Sequence, residues 1–574
     1  MTRVRDLARR HPAPPLAAAL LALFACTWHP WWVPTGDSEV YLVAARNLVN
    51  GRGLTFLGEP LAFVPPTWSL VLAGMMRLGL SIGAMKALLI FAMTGGLLLY
   101  FATLDQATGR RRVALAGVLL AAICSPLYPL TFWLHTDALF MLVAGGAVYS
   151  GARFAGATGR AAQLWLLACA LLVAIGVSIR WAGLPFAVVP AAAAFGARAT
   201  DRRLGPRLLA ATGVVAVAVA AFVLITKLLA NGAGGPLALA TIEEAAAPSV
   251  LIRQRPHVSI LQEYLGRLST LPQWFGWTLF SPSRFLPVMH PAGWWIDLGV
   301  GLLATGMVIV GGVARARRGD WIILGSFAYV LALCAGWPGV NNRYVVPVLP
   351  MAIAGILIGL RVLIGWRLAI VWRGLRWLFV AMLLLANGVM WGVDAWVSRA
   401  PTALDFYSRY EAGIHLSLIE VAADIGERYE QRPGVVSAFG RYENLGERWN
   451  YKHSQRVTAY VADVEPVGVP AELLLQSGIK PIQNWARANG VLYHVHQNPT
   501  RPGRVWHFRL TFQQHALFDG FVPEQQRDQF ELYLMRWYPT PDDPDIRWLT
   551  YTPATPLTND ALDRLGRRVP HVWP

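Results

Sequence analysis

MKALLIFAMTGGLLLYFATLDQATGRRR, residues Met85 to Arg112, decides how the rest of the chain is read. It opens with an apolar run over 85–104 and closes on three consecutive arginines, Arg110, Arg111 and Arg112, after which a second apolar run begins at Val113. A helix that crosses the hydrocarbon core of a bilayer needs about 20 apolar residues. Loops rich in arginine stay on the cytoplasmic side. The stretch therefore reads as two spanning helices joined by a short cytoplasmic loop. Working outward, further runs fall at 16–33, 113–131, 136–152, 161–179, 182–198, 208–230, 294–313, 321–336, 344–364 and 375–396. Between them lie Arg3/Arg5/Arg9/Arg10, Arg153/Arg160, Arg198/Arg202/Arg203/Arg207, Arg315/Arg317/Arg318 and Arg367/Arg373/Arg376.

Parity settles the topology. Two further apolar stretches, about 67–80 and 268–281, are short and punctuated by Pro65, Pro66, Pro272 and Pro282. If neither crosses, every basic cluster faces one side; if either does, several move outside against the charge rule. The expectation is eleven spans, a cytoplasmic N-terminus, and both short stretches as dipping or interfacial helices on the far side. Leu23–Phe24–Ala25–Cys26 faintly resembles a lipoprotein cleavage box, but the parity argument uses this run as a span.

Composition agrees. Of 574 residues 55% are hydrophobic and only 14% charged, with a mean hydropathy of +0.42, whereas an ordinary soluble chain is about a quarter charged. The net charge of +17 could suggest a nucleic-acid binder. Its placement argues otherwise: residues 400–574 hold 18 basic and 20 acidic residues, leaving 32 against 13 in the first 399, in short clusters between apolar runs. A lipid bilayer is the expected partner and nucleic acid is not. Cys26, Cys124, Cys169 and Cys334 all lie in apolar runs and read as small core residues, not a disulfide framework or zinc site.

The expected fold class is a polytopic α-helical membrane protein of about eleven transmembrane helices with a C-terminal α/β extracytoplasmic domain. The membrane domain covers 1–399, with external loops at 34–84 and 231–293, and the terminal domain covers 400–574. In the latter, Val435–Gly440, Arg456–Ala462, Val491–Val495 and Val505–Phe512 read as strands, and 411–431, 471–489 and 522–537 as helices.

Ionisable residues at a membrane face are costly and mark function. The first loop opens Thr35–Gly36–Asp37–Ser38–Glu39. From Ser38 on, Val40, Val43, Ala44 and Leu48 line one helical face while Tyr41, Ala45, Arg46 and Asn50 line another. This predicts an amphipathic helix on the membrane surface. Asp37 then either caps that helix, with Glu39 favouring its dipole, or acts as a base; the two are compatible. On the same side fall His135 and Asp137 opening span 4, Arg180 after span 5, Lys227 near the end of span 7, and Arg343–Tyr344 opening span 10. Several carboxylates and cations around one face suit a phosphorylated lipid, although snorkelling cations or an Asp–Arg tie between helices would also account for single members.

Gly36–Asp37–Ser38–Glu39 through Ala44–Ala45–Arg46–Asn47–Leu48, Gly51–Arg52–Gly53–Leu54 and Pro65–Pro66–Thr67–Trp68 resemble the first-loop signature of GT-C glycosyltransferases, nearest to protein O-mannosyltransferases and lipid A aminoarabinose transferases. Asp137, Arg180 with Gly183, and Arg343–Tyr344–Val345–Val346–Pro347 follow in the same order, and the resemblance covers residues 1–396. It implies transfer, with inversion, of a sugar from a polyprenyl-phosphate donor to a hydroxyl of a cell-envelope glycan, lipid or protein acceptor. The site is extracytoplasmic, in a multi-pass inner (plasma) membrane protein, and Asp37 is the base. Glu39, Tyr41, Arg52, His135, Asp137, Arg180, Arg343 and Tyr344 are the expected substrate-binding residues. Where such enzymes often carry a basic residue before the double proline, this chain has Val64, so Arg52, Arg180 or Arg343 takes over the phosphate. No cofactor is certain; Asp37 and Glu39 could hold a divalent cation. The competing readings are a transporter or flippase of lipid-linked sugar and a non-catalytic membrane scaffold with an external binding domain.

Overall fold

The computed structural model describes residues 12–33, 37–61, 64–196, 204–232, 290–336, 342–364, 369–402, 435–440, 459–468, 491–499, 532–540 and 543–551, with scattered positions at 265–279, 401–426 and 485–489. The protein is a polytopic helical membrane protein. Its helices are α1 Ala13–Ala25, α2 Asp37–Val49, α3 Thr67–Arg77, α4 Ile82–Thr108, α5 Arg111–Ile123, α6 Asp137–Gly156, α7 Gly159–Ile179, α8 Gly183–Phe186, α9 Val188–Phe195, α10 Leu204–Gly232, α11 His290–Ala316, α12 Ile322–Gly336, α13 Leu349–Ile364 and α14 Ala369–Ser398. Among the described residues seven helices are long and apolar enough to cross a membrane, drawn from α4, α6, α7, α10, α11, α13 and α14. The other four apolar runs fall on shorter elements: α1, α5, the α8–α9 pair and α12. The first run stops being helical at Ala25, and the third breaks at Cys124 before a 3-10 turn at Tyr128–Thr131.

The chain forms two compact units. The first holds residues up to Trp28, Leu61–Trp68 and Ala87–Asp394. Here α6 packs against α7 and α9, and α13 against α5 and α11. Small residues allow this closeness: a Cβ on Gly145 would stand 2.7 Å from the Gly96 carbonyl oxygen, so α4 and α6 touch backbone to backbone. Without water between helices, such packing and satisfied polar groups hold a bundle together. Asn387 of α14 does the latter, donating to the carbonyls of Leu279 at 2.8 Å and Leu383 at 2.9 Å and accepting from Ser125 N at 2.8 Å. The outer surface suits lipid: Leu164, Leu167, Leu171 and Ile175 stand exposed along one line of α7, a stripe that a water-facing helix would not carry.

The second unit holds His29–Pro60, Ser69–Lys86 and the chain from Ala395 onward, so the first-loop helix α2 groups with the C-terminal segment. α2 ends in a Schellman cap: Gly51, with φ of +77°, donates to Leu48 O at 3.2 Å and Arg52 N donates to Asn47 O at 2.8 Å. This explains the first glycine of the Gly51–Arg52–Gly53 signature. A two-residue hairpin follows, β1 Thr55–Phe56 and β2 Glu59–Pro60, turned by Leu57 and Gly58 at positive φ. Further on, five strands order as β4-β3-β5-β6-β7, with β3 Val435–Gly440 parallel to β4 Val467–Gly468 and to β5 Val491–Pro499. β6 Leu532–Thr540 and β7 Asp543–Tyr551 add antiparallel.

Three expectations are corrected. Residues 459–462 are helical where 456–462 was expected to be strand, and 532–537 lie in β6 where helix 522–537 was expected. Short polar and apolar mixtures do not fix period by themselves; pairing with β5 and β7 makes the second a strand. Nor is α2 a half-exposed surface helix: Ser38 to Ala45 and Asn47 are all buried, because protein groups rather than water satisfy its polar side chains. The expected strand 505–512 lies outside the described residues, as do most of helices 411–431 and 471–489.

Substituting Gly145 by Ala forces the α4–α6 contact apart. A loss of about 1–3 kcal/mol is expected, read as a lowered unfolding midpoint of the detergent-solubilised protein, with Gly299→Ala, which meets open space, unchanged.

Candidate functional site

In the first unit, three segments far apart in sequence meet at one carboxylate. Asp137 is the first residue of α6 and is buried. Its Oδ1 pairs with Nη1 of Arg180, just beyond the end of α7, and its Oδ2 lies 2.8 Å from Nη2 of Arg343, in the 3-10 turn Asn342–Tyr344. His135 Nδ1 is 3.8 Å from the same Oδ2. The two guanidiniums outnumber the carboxylate, and they keep some access to solvent, with side chains 11% and 21% exposed against 2% for Asp137. An anion, above all a phosphate, is what a buried site with surplus guanidinium charge attracts.

Local chemistry fixes each member. Arg180 leaves the helix in an extended conformation, and the chain turns at once, with Gly183 N donating to Arg180 O at 2.8 Å. A Cβ on Gly183 would be 2.6 Å from the Gly176 carbonyl, which is why this motif demands glycine. The Arg180 guanidinium stacks over the Tyr344 ring at 4.9 Å. Tyr344 is held in turn, its carbonyl accepting from the Tyr329 hydroxyl at 2.9 Å. On the other flank Trp68, from the Pro65–Pro66–Thr67–Trp68 motif, donates to Leu134 O at 3.1 Å, and Trp133 packs tilted against the His135 ring. The double-proline motif thus braces the segment that opens α6.

In the second unit, Asp37 is half-buried as the first residue of α2, while Glu39 is fully buried with its Oε2 3.0 Å from Ser38 Oγ. The two carboxylates stand two positions apart in the first turn of the helix. Among the described residues no group of three or more His, Cys, Asp or Glu side chains could hold a metal. Tyr41 is buried in α2. Arg52 pairs with Asp463 at 3.4 Å.

Sequence reasoning placed Arg46 only on the second face of an amphipathic helix and passed over Lys86. Arg46 donates to Tyr460 O at 2.6 Å and Ala459 O at 2.8 Å, pairs with Asp463 at 3.0 Å and lies over the Tyr460 ring at 5.6 Å. Burial lowers its pKa, with Asp463 and Tyr460 opposing. Burial also pushes the Tyr460 phenol up, against Arg46 and with a further push from Glu39. Lys86, fully buried, lies 3.3 Å from His29 Nδ1 and donates to Trp31 O. The available signal was a lone long cation inside an otherwise apolar helical stretch, which reads first as a snorkelling side chain.

Asp137, Arg180, Arg343, His135 and Tyr344 are thus brought together in one unit, while Asp37, Glu39, Tyr41 and Arg52 share the other. No family model matches the chain, and no curated protein matches it. Among solved structures it is similar to ArnT from Cupriavidus metallidurans in the apo state, over 90% of this chain and 95% of that one, at 15% identity and a TM-score of 0.46. It is also similar to the same organism's ArnT bound to undecaprenyl phosphate, over 88% and 94%, at 13% identity and a TM-score of 0.44.

Removing Asp137 leaves two neighbouring guanidiniums without their shared counter-charge. Asp137→Ala is expected to cost roughly 3 kcal/mol of stability, whereas Asp137→Ala combined with Arg180→Ala costs less than the two single losses added together. A double-mutant cycle on thermal unfolding measures this.

Proposed function

We propose that this chain is a membrane glycosyltransferase of the GT-C type, moving a sugar from a polyprenyl-phosphate donor to an acceptor hydroxyl. The observation that carries the reading is the Asp137–Arg180–Arg343 cluster: a partly open pair of guanidiniums around one carboxylate, beside an aromatic ring, at the end of a lipid-embedded bundle. That is the chemistry a phosphate on a lipid tail requires. The first-loop resemblance supplies the transferase half of the proposal, and one of the similar solved structures is described as bound to undecaprenyl phosphate.

In this mechanism Asp37 accepts the proton of the acceptor hydroxyl as its oxygen attacks the anomeric carbon, since a neutral hydroxyl is a weak nucleophile. The bond from that carbon to the donor's phosphate oxygen breaks as the new glycosidic bond forms, which inverts the centre. Negative charge grows on the departing lipid phosphate, where Arg180 and Arg343 stabilise it in a poorly hydrated setting. Asp137 keeps both arginines in place. We assign the reaction to the extracytoplasmic face of the inner membrane, with eleven spans, the N-terminus inside and the C-terminal segment outside. The acceptor is a cell-envelope glycan, lipid or protein.

The test is transfer of label from a polyprenyl-phosphate sugar into cell-envelope fractions by membranes carrying equal amounts of each variant. Asp37→Asn is expected to cut the rate about 10²–10⁴-fold, the usual contribution of a general base. Arg343→Ala is expected to raise KM for the donor. Equal transfer by Asp37→Asn would remove Asp37 from the base role; absence of transfer by the unsubstituted protein from every donor tried would favour a transporter or scaffold.

A further inference from the structure

The end of the first unit opposite the Asp137 cluster is strongly basic. α6 starts at Asp137 and runs about 30 Å to Gly156 at 1.5 Å per residue. α4 runs alongside α6, Gly96 meeting Gly145 and Gln106 Nε2 donating to Ala152 O at 3.2 Å, so that its end at Thr108 lies near the end of α6; α11 ends at Ala316, and α13, which packs against it, ends at Ile364. Two of the arginines there have carboxylate partners. Arg111 lies 3.4 Å from Asp105. Arg315, buried, donates through Nε to Asp320 Oδ2 at 3.2 Å and through Nη2 to Ala107 O, while Asp320 Oδ1 accepts from Ile322 N at 3.2 Å. Arg315 therefore ties the end of α11 to the end of α4 and to the start of α12.

Three further arginines stand at this end, two beside that tie and one on α13, which packs against α11. Arg110 follows the turn after α4, where Gly109 adopts φ of +62° and Arg110 N donates to Thr108 Oγ1 at 3.1 Å. Arg318 follows α11, its N donating to Arg315 O at 2.8 Å. Arg361 lies in the last turn of α13. None of the three pairs with a carboxylate among the described residues. Arg110 responds to the others: burial lowers its pKa, and Arg361, Arg318 and Arg315 lower it further by repulsion. Folding has gathered like charges that repel, so an anion from outside is the missing counterpart.

We propose that Arg110, Arg318 and Arg361 form a headgroup site for an anionic phospholipid. A free anion offers the same phosphate, but the surroundings favour a lipid. Val362 beside Arg361, Val313 one turn before Arg317, and Leu119 on α5 are large apolar side chains left exposed on the helices that carry the arginines. Acyl chains below a phosphate would cover these groups. Basic pockets between spanning helices hold lipid headgroups in this way, each arginine adding to the attraction. The site is independent of the transfer reaction and rests on the membrane-spanning reading alone.

Native mass spectrometry of the full chain in detergent, titrated with phosphatidylglycerol, phosphatidylcholine or inorganic phosphate, tests the site. One phosphatidylglycerol is expected to stay bound while phosphatidylcholine does not. Each of Arg110→Gln, Arg318→Gln and Arg361→Gln is expected to weaken binding about fivefold, and the triple variant roughly a hundredfold. The single variants keep the test open should the triple variant unfold. Equal binding by the variants, or equal retention of phosphatidylcholine, would overturn the proposal. Binding of inorganic phosphate that phosphatidylglycerol does not displace would overturn the lipid assignment in favour of a soluble anion.

Discussion

A carboxylate at the head of a membrane helix stays charged only when opposite charge is brought to it, and the Asp137 side chain receives that charge from two directions. Arg180 comes from the end of α7 and Arg343 from the turn before α13. The cost of burying three ions is high, and the gain from pairing offsets it only if geometry is held. Much of the first unit holds that geometry. Trp68 fixes the strand of chain before Asp137, the tight turn at Gly183 brings Arg180 back, and Tyr329 fixes Tyr344 beneath the Arg180 guanidinium. The polar cluster and the bundle are thus one construction: the helices can approach because of glycines such as Gly96 and Gly145, and their ends meet because of the ion cluster.

The opposite end of the bundle solves the reverse problem. There Arg315 is neutralised by Asp320 and pinned to a backbone carbonyl, but its neighbours are left in surplus. One end of the first unit has cations gathered around a buried carboxylate, and the other has more arginines than the carboxylates of Asp320 and Asp105 pair with. Repulsion that the protein does not relieve internally is tolerable only where water, ions or lipid phosphates relieve it. The asymmetry gives the bundle a polarity that hydropathy alone would not.

Much of the helical fold was legible in the sequence. Seven of the eleven apolar runs fall on helices long enough to cross a membrane and the other four on shorter helical elements, because a stretch of apolar residues in lipid has few alternatives to satisfying its own backbone. The gathering of Asp137, Arg180, Arg343 and Tyr344 also followed from chain order, since successive antiparallel spans return to the same end. What failed was what depends on partners. Helix α2 has the alternation of an amphipathic surface helix, yet it is buried nearly all round because its polar side chains find protein partners that no local pattern announces. Residues 532–537 have a helical look and form a strand because β5 and β7 flank them.

Arg46 shows what that kind of failure conceals. On a surface helix it would be one more cation facing headgroups. Buried in the second unit, it spends its donors on the carbonyls of Ala459 and Tyr460 and on Asp463, more than four hundred residues away in the chain. A guanidinium suits this role because it presents several donors in a fixed plane, which a lysine cannot reproduce. The consequence concerns Asp37 and Glu39, which lie on the same short helix. Their backbone is positioned by residues 459–463 through Arg46, and Glu39 itself acts electrostatically on the Tyr460 phenol. The C-terminal segment is therefore part of what builds the first-loop helix, and a change at Tyr460 or Asp463 reaches the carboxylates of α2 without touching the membrane bundle.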